Sequence, residues 1–452
     1  MISGSATTQE VEMQDTGHDQ SIISAGADYD AVVVGASLAG CTTAIMLGRA
    51  GARVALVEKQ PDPRAFKRIC SHFIQSSAVP TIERLGLMEP ILEAGGVRTY
   101  LRAWSRWGWL AAPPERVPAA LNLRREKLDP IVREAAAATP GVELLLGQSV
   151  ERLLHEGGAV RGVVARDRTG TETELRGRLV IGADGRDSRV AELAGVPEKR
   201  TPHGRFAYGG YFEGPPPAWA PAGAIWMLDP QWAAAFPTDE GLTFYAAMGT
   251  KDRLPEFKAD PEAALRRWVA DVPEAPPIRE STLTEPVMGK IDMENRLRRP
   301  TAPGLALVGD AAMAIDPLWG VGCGFAFQTA EWLCDSVTPA LLRGEPLDES
   351  LERYRRAYLR GLRGHAQMMI GFATGRKLNA GERLIFSATA RDTKLALEFD
   401  ALGSRRITPE RALVRTLPRA LFVNARGVLQ RRAPAAVSAH AAVAPEREQV
   451  AA

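Results

Sequence analysis

The sequence predicts an α/β protein built on a Rossmann-like parallel sheet, with a second, mixed sheet inserted into the chain and helices at the C-terminal end. Three observations predict this class. A strand–turn–helix–strand unit occupies 29–59, apolar strands that end in an acidic residue return at 179–184 and 304–310, and short strands separated by proline and glycine fill 206–287. Because an apolar strand that ends in an acidic residue follows the short strands, we expect the second sheet to be an insertion in the first domain.

The composition is that of an ordinary globular protein. Of 452 residues, 45% are hydrophobic and 24% are charged, and 56 basic residues against 54 acidic residues give a net charge of +2. This balance excludes an intrinsically disordered chain and provides no positive field that would attract nucleic acid. The cysteines have no metal-binding spacing, so we expect no metal site and a reducing, cytoplasmic setting. They are Cys41, Cys70, Cys323 and Cys334.

Neither end of the chain is expected to be ordered. Residues 1–28 lack the charged start and apolar core of a signal peptide, and residues 431–452 are rich in alanine and proline. The uncharged stretch 31–48 reaches the minimum length of a membrane helix, but its glycines and threonines indicate a buried strand that turns into a helix. We therefore expect no stable membrane span.

The ordered part is predicted to contain two domains. The first is discontinuous and comprises 29–205 and 288–430, including the C-terminal helices, and the second is the sheet domain 206–287. Within the first domain, a helix followed by the apolar strand 142–146 continues the α/β pattern. Residues 150–180 alternate around a turn and predict a small antiparallel hairpin, after which the parallel sheet resumes.

The clearest local signal is the glycine-rich turn GASLAG between the first strand and the first helix. Gly35 permits a tight turn, the small side chains after it let backbone amides approach a pyrophosphate, and Gly40 allows the helix to pack closely on the strand. Ser37 replaces the usual second glycine, which narrows the space for the diphosphate but adds a hydroxyl donor. Glu58 ends the next strand, where an acidic residue accepts hydrogen bonds from a ribose. The predicted dinucleotide contacts in this unit are Gly35, Ser37, Leu38, Ala39, Gly40, Glu58 and Lys59.

Two more strands end in acidic, glycine-rich turns. GADGRDS at 182–188 follows one apolar strand, and GDAA at 309–312 follows another and continues into DPLWGVGCGFA at 316–326. In open α/β sheets, ligands bind at the carboxyl ends of the strands. Three such ends in one chain indicate a single long ligand.

The three motifs, in this order and at these separations, resemble the flavin-dependent monooxygenases of the para-hydroxybenzoate hydroxylase type, the class A flavoprotein monooxygenases. The resemblance runs from about residue 28 to residue 372. It implies a FAD-binding domain of the glutathione-reductase type, with FAD and NAD(P)H as cofactors and dioxygen as co-substrate. It also implies that hydride reduces the flavin and that a flavin C4a-hydroperoxide transfers its terminal oxygen to the substrate.

The resemblance further implies roles for individual residues. Asp310 bonds the ribityl chain of FAD, Asp184 supports the region where FAD and NAD(P)H meet, and the backbone amides of Gly322 and Cys323 contact the flavin pyrimidine edge. The sequence around Gly322 and Cys323 supports this role. A glycine-rich turn that leads into a helix presents free N–H groups, which suit the negative charge of a reduced flavin. The remaining matches to FAD-contacting positions are Arg125 in an R-x-x-L pattern, Arg68 as a weaker match, and Val150 as a backbone contact to adenine.

The sequence departs from this family at two positions. Met313 stands where the family commonly has histidine after GDAA, so proton transfer is not expected there. Gly324 and Phe325 occupy the step where the family has an asparagine after its G-x-G. Phe325 and Trp319 near the expected flavin indicate an apolar substrate.

Two residues are candidates for catalysis. His72 follows the second strand, in a segment that the resemblance places near the flavin, and is a candidate general base; a structural histidine is the alternative. Tyr208 and Tyr211 fall on opposite faces of one predicted strand, so at most one of them faces a pocket. We take Tyr211 as the candidate hydrogen-bond partner of the substrate.

The leading interpretation is an NAD(P)H- and O2-dependent FAD monooxygenase that hydroxylates or epoxidises a small, largely apolar or aromatic metabolite. Three alternatives are kept open: a FAD-dependent reductase or dehydrogenase of the geranylgeranyl reductase type, a flavin-dependent halogenase, and a non-catalytic binding protein with the flavin fold. The expected partners are a small-molecule substrate and dioxygen. Homo-oligomerisation is left open.

Overall fold

A computed structural model describes residues 28–432, and the side chains of residues 29–426. The first strand begins at Asp28 and the last helix runs to Arg432, so each ordered boundary lies one or two residues beyond the predicted one. The rest of the predicted tails, 1–27 and 433–452, lies outside the described residues.

The strands follow the predicted order, with the short strands of the second sheet between two groups of parallel strands. In chain order they are β1 Asp28–Val34, β2 Val54–Glu58, β3 Phe73–Ile74, β4 Val97–Thr99, β5 Leu101–Ser105, β6 Gly108–Leu110, β7 Ala120–Asn122, β8 Val142–Leu146, β9 Ser149–Glu156, β10 Ala159–Arg166, β11 Glu172–Gly182, β12 Glu198–Thr201, β13 Arg205–Glu213, β14 Gly223–Met227, β15 Trp232–Pro237, β16 Leu242–Thr250, β17 Thr282–Leu283, β18 Met288–Lys290, β19 Asn295–Arg298, β20 Thr301–Ala302, β21 Leu305–Leu307 and β22 Met313–Ala314.

The helices flank both sheets and form the C-terminal part of the chain. In chain order they are α1 Leu38–Arg49, α2 Val79–Arg84, α3 Met88–Glu93, α4 Arg125–Ala137, α5 Arg189–Leu193, α6 Leu254–Ala259, α7 Pro261–Ala270, α8 Gly322–Leu342, α9 Asp348–Ala373, α10 Ala380–Thr389, α11 Thr393–Gly403 and α12 Pro409–Arg432.

The first sheet confirms the predicted parallel architecture. Strands β21, β11, β1, β2 and β8 are parallel neighbours in this order, and α1 crosses from β1 to β2. Both faces of these strands are covered, which is why β1 and β2 read as continuous apolar runs. The carboxyl ends of β1, β11 and β21 therefore meet at one edge, where the three motifs begin.

The predicted hairpin is present, but it is continuous with the parallel sheet. Strand β11 has 11 residues; its first half pairs antiparallel with β10, and its second half pairs parallel with β1. The sequence predicts two separate strands here, because the alternation of polar and apolar residues in the exposed half changes to a continuous apolar run in the buried half. One strand thus carries the hairpin and delivers the second motif.

The second sheet is larger than the predicted insertion. Strands β13 to β16 lie where the short strands were predicted, and the order β17-β13-β16-β15-β14-β5-β6 shows that β5 and β6 complete it. The segment 101–110 and the strand β18, both placed in the first domain from the sequence, thus pair in the second sheet. Strands β5 and β6 are short and partly exposed, so their sequence gives little sign of which sheet they join.

The two faces of the second sheet belong to different apolar clusters. Phe206 and Phe212 pack with α6 and α7 in one cluster, whereas Tyr211, Phe236 and Phe244 pack in the main core shared with the first domain. We call the latter the inner face. The inner face is the surface of the second sheet that meets the motif-bearing edge of the first.

The last helix, α12, packs on α10 and α11. Leu413, Val414 and Phe422 on its other side are exposed. Among residues 28–432, no helix combines the length and the apolar character that crossing a bilayer requires.

Candidate active site

The glycine-rich turn after β1 packs as its sequence predicts. Gly35 has φ +104, and a Cβ on it would lie 2.6 Å from the carbonyl oxygen of Ala183. A Cβ on Gly40 would lie 1.8 Å from the carbonyl oxygen of Gly35. Only glycine fits at either position, so the first turn of α1 sits directly on the turn and on the second motif.

Two long helices begin at this edge without a side-chain cap. The N-cap residue of α1 is Ser37, whose hydroxyl accepts a hydrogen bond from Nη2 of Arg125 at 2.9 Å and caps no helix amide. Helix α8 starts after Val321, again without a side-chain cap and without an acidic residue in its first turn. Since Nη1 of Arg125 also lies 3.9 Å from Sγ of Cys323, both helix starts flank one arginine. Free amides and positive helix ends at one place form an anion-binding site.

The third motif closes the same region. A Cβ on Gly309 would lie 3.1 Å from Cβ of Ala39 in α1, and a Cβ on Gly322 would lie 4.0 Å from Oδ1 of Asp310. Oδ2 of Asp310 forms a half-exposed ion pair with Nζ of Lys67 at 3.1 Å. The three motifs, scattered over nearly 300 positions in the chain, are thereby assembled at one edge.

Asp184 has a well-defined structural task. Its carboxylate accepts hydrogen bonds from Oγ of Ser188 at 2.5 Å and from the amide of Val190 at 2.9 Å. Burial raises the pKa of Asp184, although these hydrogen bonds act in the opposite direction. Asp184 thus fixes the turn that leads into α5. Its support of the region where cofactors meet stays a prediction.

Glu58 lies beside the start of α1. Its carboxylate accepts hydrogen bonds from the amide of Ala36 at 2.8 Å and from that of Gln60 at 2.9 Å. The amide of Gln148 donates to the carbonyl of Glu58 at 2.9 Å, which brings Val150 to the same end of the sheet. A carboxylate oxygen has two lone pairs, so Glu58 keeps the capacity to accept ribose hydroxyls.

Two predicted contacts are not brought into this cluster. Arg68 and Lys59 are both exposed, and neither lies with the buried groups around Arg125. The residue next to Arg68, Lys67, occupies the place beside Asp310 instead. The loop 59–69 has no regular secondary structure, so no periodicity in the sequence shows which of its side chains reaches Asp310.

Helix α4 carries the predicted Arg125 and two buried partners that were not predicted, Asp129 and Arg133. Arg125 forms a buried ion pair with Asp129, with Nε to Oδ1 at 2.5 Å and Nη2 to Oδ2 at 2.9 Å. Arg133 is also buried, and its Nε donates to the carbonyl of Ala36 at 3.0 Å. Arg125, Asp129 and Arg133 are spaced four residues apart and lie on one helix face, a pattern that was visible in the sequence.

Another residue that was not predicted is Arg405, which follows the end of α11. Its guanidinium is buried, lies 4.6 Å from the ring centre of Phe325, and donates to Oε1 of Gln328 and to the carbonyl of Val321. A Cβ on Gly324 would lie 2.0 Å from Nη2 of Arg405. The absence of the family's asparagine at Gly324 now has a physical reason, because the guanidinium takes up that space.

The two catalytic candidates are in direct contact. Nε2 of His72 and the hydroxyl of Tyr211 form a buried hydrogen bond, and Nδ1 of His72 accepts the amide of Arg125 at 2.8 Å. Tyr208 lies on the opposite face, stacked on Phe257 at 5.1 Å, as the strand alternation predicts. Burial lowers the pKa of His72 and raises that of Tyr211, so both are neutral near pH 7.

Two thiols lie beside this pair. Sγ of Cys70 is 3.7 Å from Sγ of Cys323 and accepts the amide of His72 at 3.2 Å. The hydrogen bond from Cys323 lowers the pKa of Cys70, and the same bond together with burial raises that of Cys323. Either thiol can be the donor in this contact.

An aromatic cluster connects the inner face to the segment that leads into α8. The ring centre of Trp232, on β15, lies 5.3 Å from that of Trp319, and Phe372 of α9 lies within 6 Å of both. All three side chains are buried. These packed rings thus join the inner face of the second sheet to the segment that leads into α8.

The fold and this edge define a dinucleotide-binding flavoprotein, and comparison with known proteins assigns the family. The family model described as "FAD binding domain" matches residues 28–363. The chain belongs to this family, and it is an enzyme of the flavin oxidoreductase type with the fold of the FAD-dependent monooxygenases. FAD fits the residues present, because a Cβ would fill the turn at Gly35 and because two helices begin there uncapped.

Relatives and solved structures agree with this class. Kynurenine 3-monooxygenase of Salinispora arenicola is 28% identical over 328 residues, covering 68% of this chain and 72% of the relative. Digeranylgeranylglycerophospholipid reductase of Methanosarcina acetivorans is 25% identical over 359 residues, covering 75% and 82%. The structure of the flavin-dependent brominase Bmp2 has a TM-score of 0.73 at 18% identity, covering 90% of this chain and 100% of that one, which shows a common fold.

Proposed function

We propose that the protein is an NAD(P)H- and O2-dependent FAD monooxygenase that hydroxylates or epoxidises a small, largely apolar or aromatic metabolite. The observation that carries the proposal is the contact of Trp232 on the inner face with Trp319, three residues before α8. It sets a buried aromatic surface against the helix start that suits a flavin. A kynurenine monooxygenase among the relatives supports an aromatic substrate.

The residues of this chain bind FAD and shield the reaction from water. FAD, when bound, supplies hydride acceptance and oxygen activation. The amides at the start of α1 bind the diphosphate of FAD, and those at the start of α8 stabilise negative charge on its pyrimidine edge. Asp310 accepts a hydrogen bond from a ribityl hydroxyl. The rings of Trp232, Trp319 and Phe372 exclude water from the region next to α8, where the oxygen is transferred.

His72 and Tyr211 orient the substrate. Since Nδ1 of His72 accepts the amide of Arg125, the neutral ring carries its proton on Nε2 and donates it to the hydroxyl oxygen of Tyr211. The hydroxyl proton of Tyr211 is then free to donate to an oxygen or nitrogen of the substrate. In this assignment Tyr211 touches the substrate, and His72 positions Tyr211 and is not itself the general base.

Isotope transfer tests the proposal. The purified protein is loaded with FAD and incubated with NADPH or NADH, a panel of aromatic metabolites and 18O2. The expected product is heavier than its substrate by one 18O atom, and the label is absent when the label is supplied as H2 18O. A product without 18O from O2 would exclude oxygen transfer, and the nicotinamide that supports turnover identifies the reductant.

One alternative has its own support. The reductase of Methanosarcina acetivorans aligns with 75% of this chain, a larger share than the kynurenine monooxygenase. A reductase would transfer hydride from the flavin to a carbon–carbon double bond and yield a product heavier by two hydrogens. The same incubation under argon distinguishes the two functions, because only the reductase forms its product without O2.

A further inference from the structure

Helix α12 exposes a cluster of large apolar side chains. In the described part of the chain, ten large apolar side chains are exposed, and half of them lie between residues 413 and 422. Exposed apolar side chains that cluster in this way mark an interaction site, whereas single ones do not. The five in α12 are 36% to 75% exposed and comprise Leu413, Val414, Leu417, Leu421 and Phe422.

The helix buries its small residues and exposes its large ones. Residues four positions apart lie in one row along a helix. The row of Ala412, Thr416 and Ala420 is buried, and Ala420 packs in a cluster with α10 and α11. A helix whose only partner was its own protein would bury the rows with larger side chains. The next two rows around the helix are exposed, and we call them the apolar face of α12: Leu413, Leu417 and Leu421 in one, and Val414, Pro418 and Phe422 in the other.

A row of arginines borders the apolar face of α12. It consists of Arg411, Arg415 and Arg419. The side chain of Arg415 is 42% exposed and lies 3.3 Å from Glu398, and Arg419 forms a bidentate pair with Asp392. Arg411 is exposed, and within residues 29–426 no carboxylate pairs with it. Positive charge thus runs along one edge of the apolar face.

The C-terminal helices as a group are strongly basic. Residues 374–432 hold thirteen basic and five acidic residues, whereas the whole chain has 56 and 54. The only acidic residue in the sequence of α12 is Glu410, and it lies against α9, where a Cβ on Gly364 would be 2.4 Å from its Oε1. The excess positive charge of the chain is therefore concentrated around the apolar face of α12.

This combination favours an anionic partner that also has an apolar interior. Two copies that met through these faces on a two-fold axis would bring their arginine rows together, and the like charges would repel. An anionic phospholipid bilayer has its phosphates directly above its acyl chains. It therefore attracts the arginines and covers the leucine and phenylalanine side chains at the same time.

We propose that the apolar face of α12 binds the surface of a bilayer that contains anionic phospholipids. The helix lies parallel to the bilayer, with Leu417, Leu421 and Phe422 inserted about 5–10 Å into the boundary between headgroups and acyl chains. Arg411 and Arg426, both exposed, donate to lipid phosphates. The stretch 413–422 is about 15 Å long, so it holds the helix at the surface and does not cross the bilayer.

Vesicle flotation tests the proposal. The full-length, FAD-loaded protein is mixed with vesicles of phosphatidylcholine alone or of phosphatidylcholine with about 30% phosphatidylglycerol, and the bound fraction is measured at low and at high salt. We expect tenfold or tighter binding to the anionic vesicles, and loss of this preference at high salt. The double variant Leu421→Gln with Phe422→Gln should bind at least tenfold more weakly. Arg411→Gln with Arg426→Gln should lose most of the preference for anionic lipid.

The controls separate this face from exposed apolar residues in general. Leu92→Gln with Leu342→Gln alters two exposed leucines on α3 and α8, and it should bind as the wild type does. Since all substituted side chains are exposed, the Tm and the FAD content of every variant should equal those of the wild type. Equal binding to both kinds of vesicle, or binding that survives in Leu421→Gln with Phe422→Gln, overturns the inference.

Sedimentation without lipid tests a second copy as the occupant. A wild-type dimer that this double variant dissociates, together with no binding to either kind of vesicle, would assign the face to contacts between copies and overturn the inference. The inference goes beyond the proposed function and does not rest on it. Flotation requires neither substrate nor NAD(P)H, so a failure of 18O transfer leaves it standing, and a failure of vesicle binding leaves the proposed oxygen transfer untouched.

Discussion

The hydroxyl of Tyr211 on β13 and Nε2 of His72, 139 positions earlier in the chain, form one buried hydrogen bond. The bond joins the second sheet to the loop before β3, and Nδ1 of the same histidine accepts the first amide of α4. His72 adopts φ +59, which side-chain-bearing residues rarely do. The surrounding contacts therefore hold His72 in place between the two domains.

Tyr211→Phe is expected to lower stability without disturbing FAD binding. The substitution removes the acceptor of the Nε2 proton, and a buried donor left unpaired costs about 1–3 kcal/mol. We expect a Tm lower by a few degrees and an unchanged FAD content. Tyr208→Phe on the opposite face of β13 is the matched control and leaves the Tm unaltered. Equal Tm changes for the two variants would show that the hydrogen bond to His72 contributes nothing.

Asp310→Ala is expected to weaken FAD binding and to leave the apoprotein stable. The ion pair with Lys67 is half-exposed, so its loss changes stability by less than about 1 kcal/mol. A ribityl hydroxyl that loses a charged acceptor loses about 1.5–3 kcal/mol, which raises the Kd for FAD at least tenfold. Fluorescence titration with FAD measures the Kd. Asp335→Ala, which removes another exposed carboxylate, is the control, and an unchanged Kd in Asp310→Ala would place Asp310 outside the ribityl site.

Glu58→Ala addresses the ribose end of the same site. Its carboxylate holds the amide of Ala36, so the substitution also loosens the glycine-rich turn. We expect a lower affinity for FAD and a far-ultraviolet circular dichroism spectrum identical to that of the wild type. An unchanged affinity would remove Glu58 from the ribose contacts.

Local signals were sufficient for the fold. Strands β1, β2 and β8 and helix α4 appear as apolar runs or helical spacing in consecutive residues. Gly40 is dictated by its contact with Gly35 in the same βαβ unit. The second sheet was predicted except for β5, β6 and the short strand β18, which follows the predicted insertion. The case of β5 and β6 is the clearest. Their membership depends on a parallel pairing with β14, more than 100 positions away, which no local pattern specifies.

The sequence pointed to the glycine-rich turns and to Arg125, His72 and Tyr211, but other buried polar side chains from distant elements were missed. Arg405 lies after residue 372, where the resemblance to the family ends. The sequence around it is typical of the exposed end of a helix. Arg133 resembles any solvated helix residue until Ala36 is placed beside it. Lys67 and Arg68 are adjacent in an irregular loop, and only the packed structure selects Lys67. Partners separated by hundreds of residues leave no periodic signal.

Gly324 and Arg405 are expected to be coupled. Gly324→Ala forces a Cβ against Nη2 of Arg405, whose guanidinium is held by Gln328 and Val321 and has no room to move. Overpacking of this kind costs about 1–3 kcal/mol. In the background Arg405→Ala the same substitution is expected to cost almost nothing. The Tm values of the wild type, the two single variants and the double variant form the cycle, and additive changes would disprove the contact.

Cys70 and Cys323 are expected to form a disulfide under mild oxidation. Their sulfurs are 3.7 Å apart, and hydrogen bonding lowers the pKa of Cys70, which increases its reactive thiolate. After treatment with diamide and removal of the oxidant, thiol titration of the unfolded chain should find two thiols in place of four. Cys323→Ser should retain all three of its thiols. Oxidation of Cys41 or Cys334, both buried elsewhere, would contradict this assignment.

His365 is expected to make the protein sensitive to acid. Burial lowers its pKa from 6.5 to about 4, and Nε2 lies 3.1 Å from the carbonyl oxygen of Ile407. Because the unfolded chain takes up a proton near pH 6.5 and the folded protein does so only near pH 4, the stabilisation is complete above pH 6.5 and declines as the pH falls to 4. A difference of about 2.5 pKa units corresponds to about 3 kcal/mol.

Melting curves between pH 4 and pH 8 measure this dependence. His365→Gln keeps a donor for Ile407 but cannot take up a proton, so its Tm should fall less steeply than that of the wild type below pH 6.5. His155→Gln, at an exposed position of β9, is the control and should follow the wild-type curve. The charges that face His365 are Arg405, which opposes protonation, and Glu410, which favours it. Glu410→Gln should therefore lower the pKa of His365 further and steepen the loss of stability, whereas parallel curves for the wild type and His365→Gln would show that another group carries the acid sensitivity.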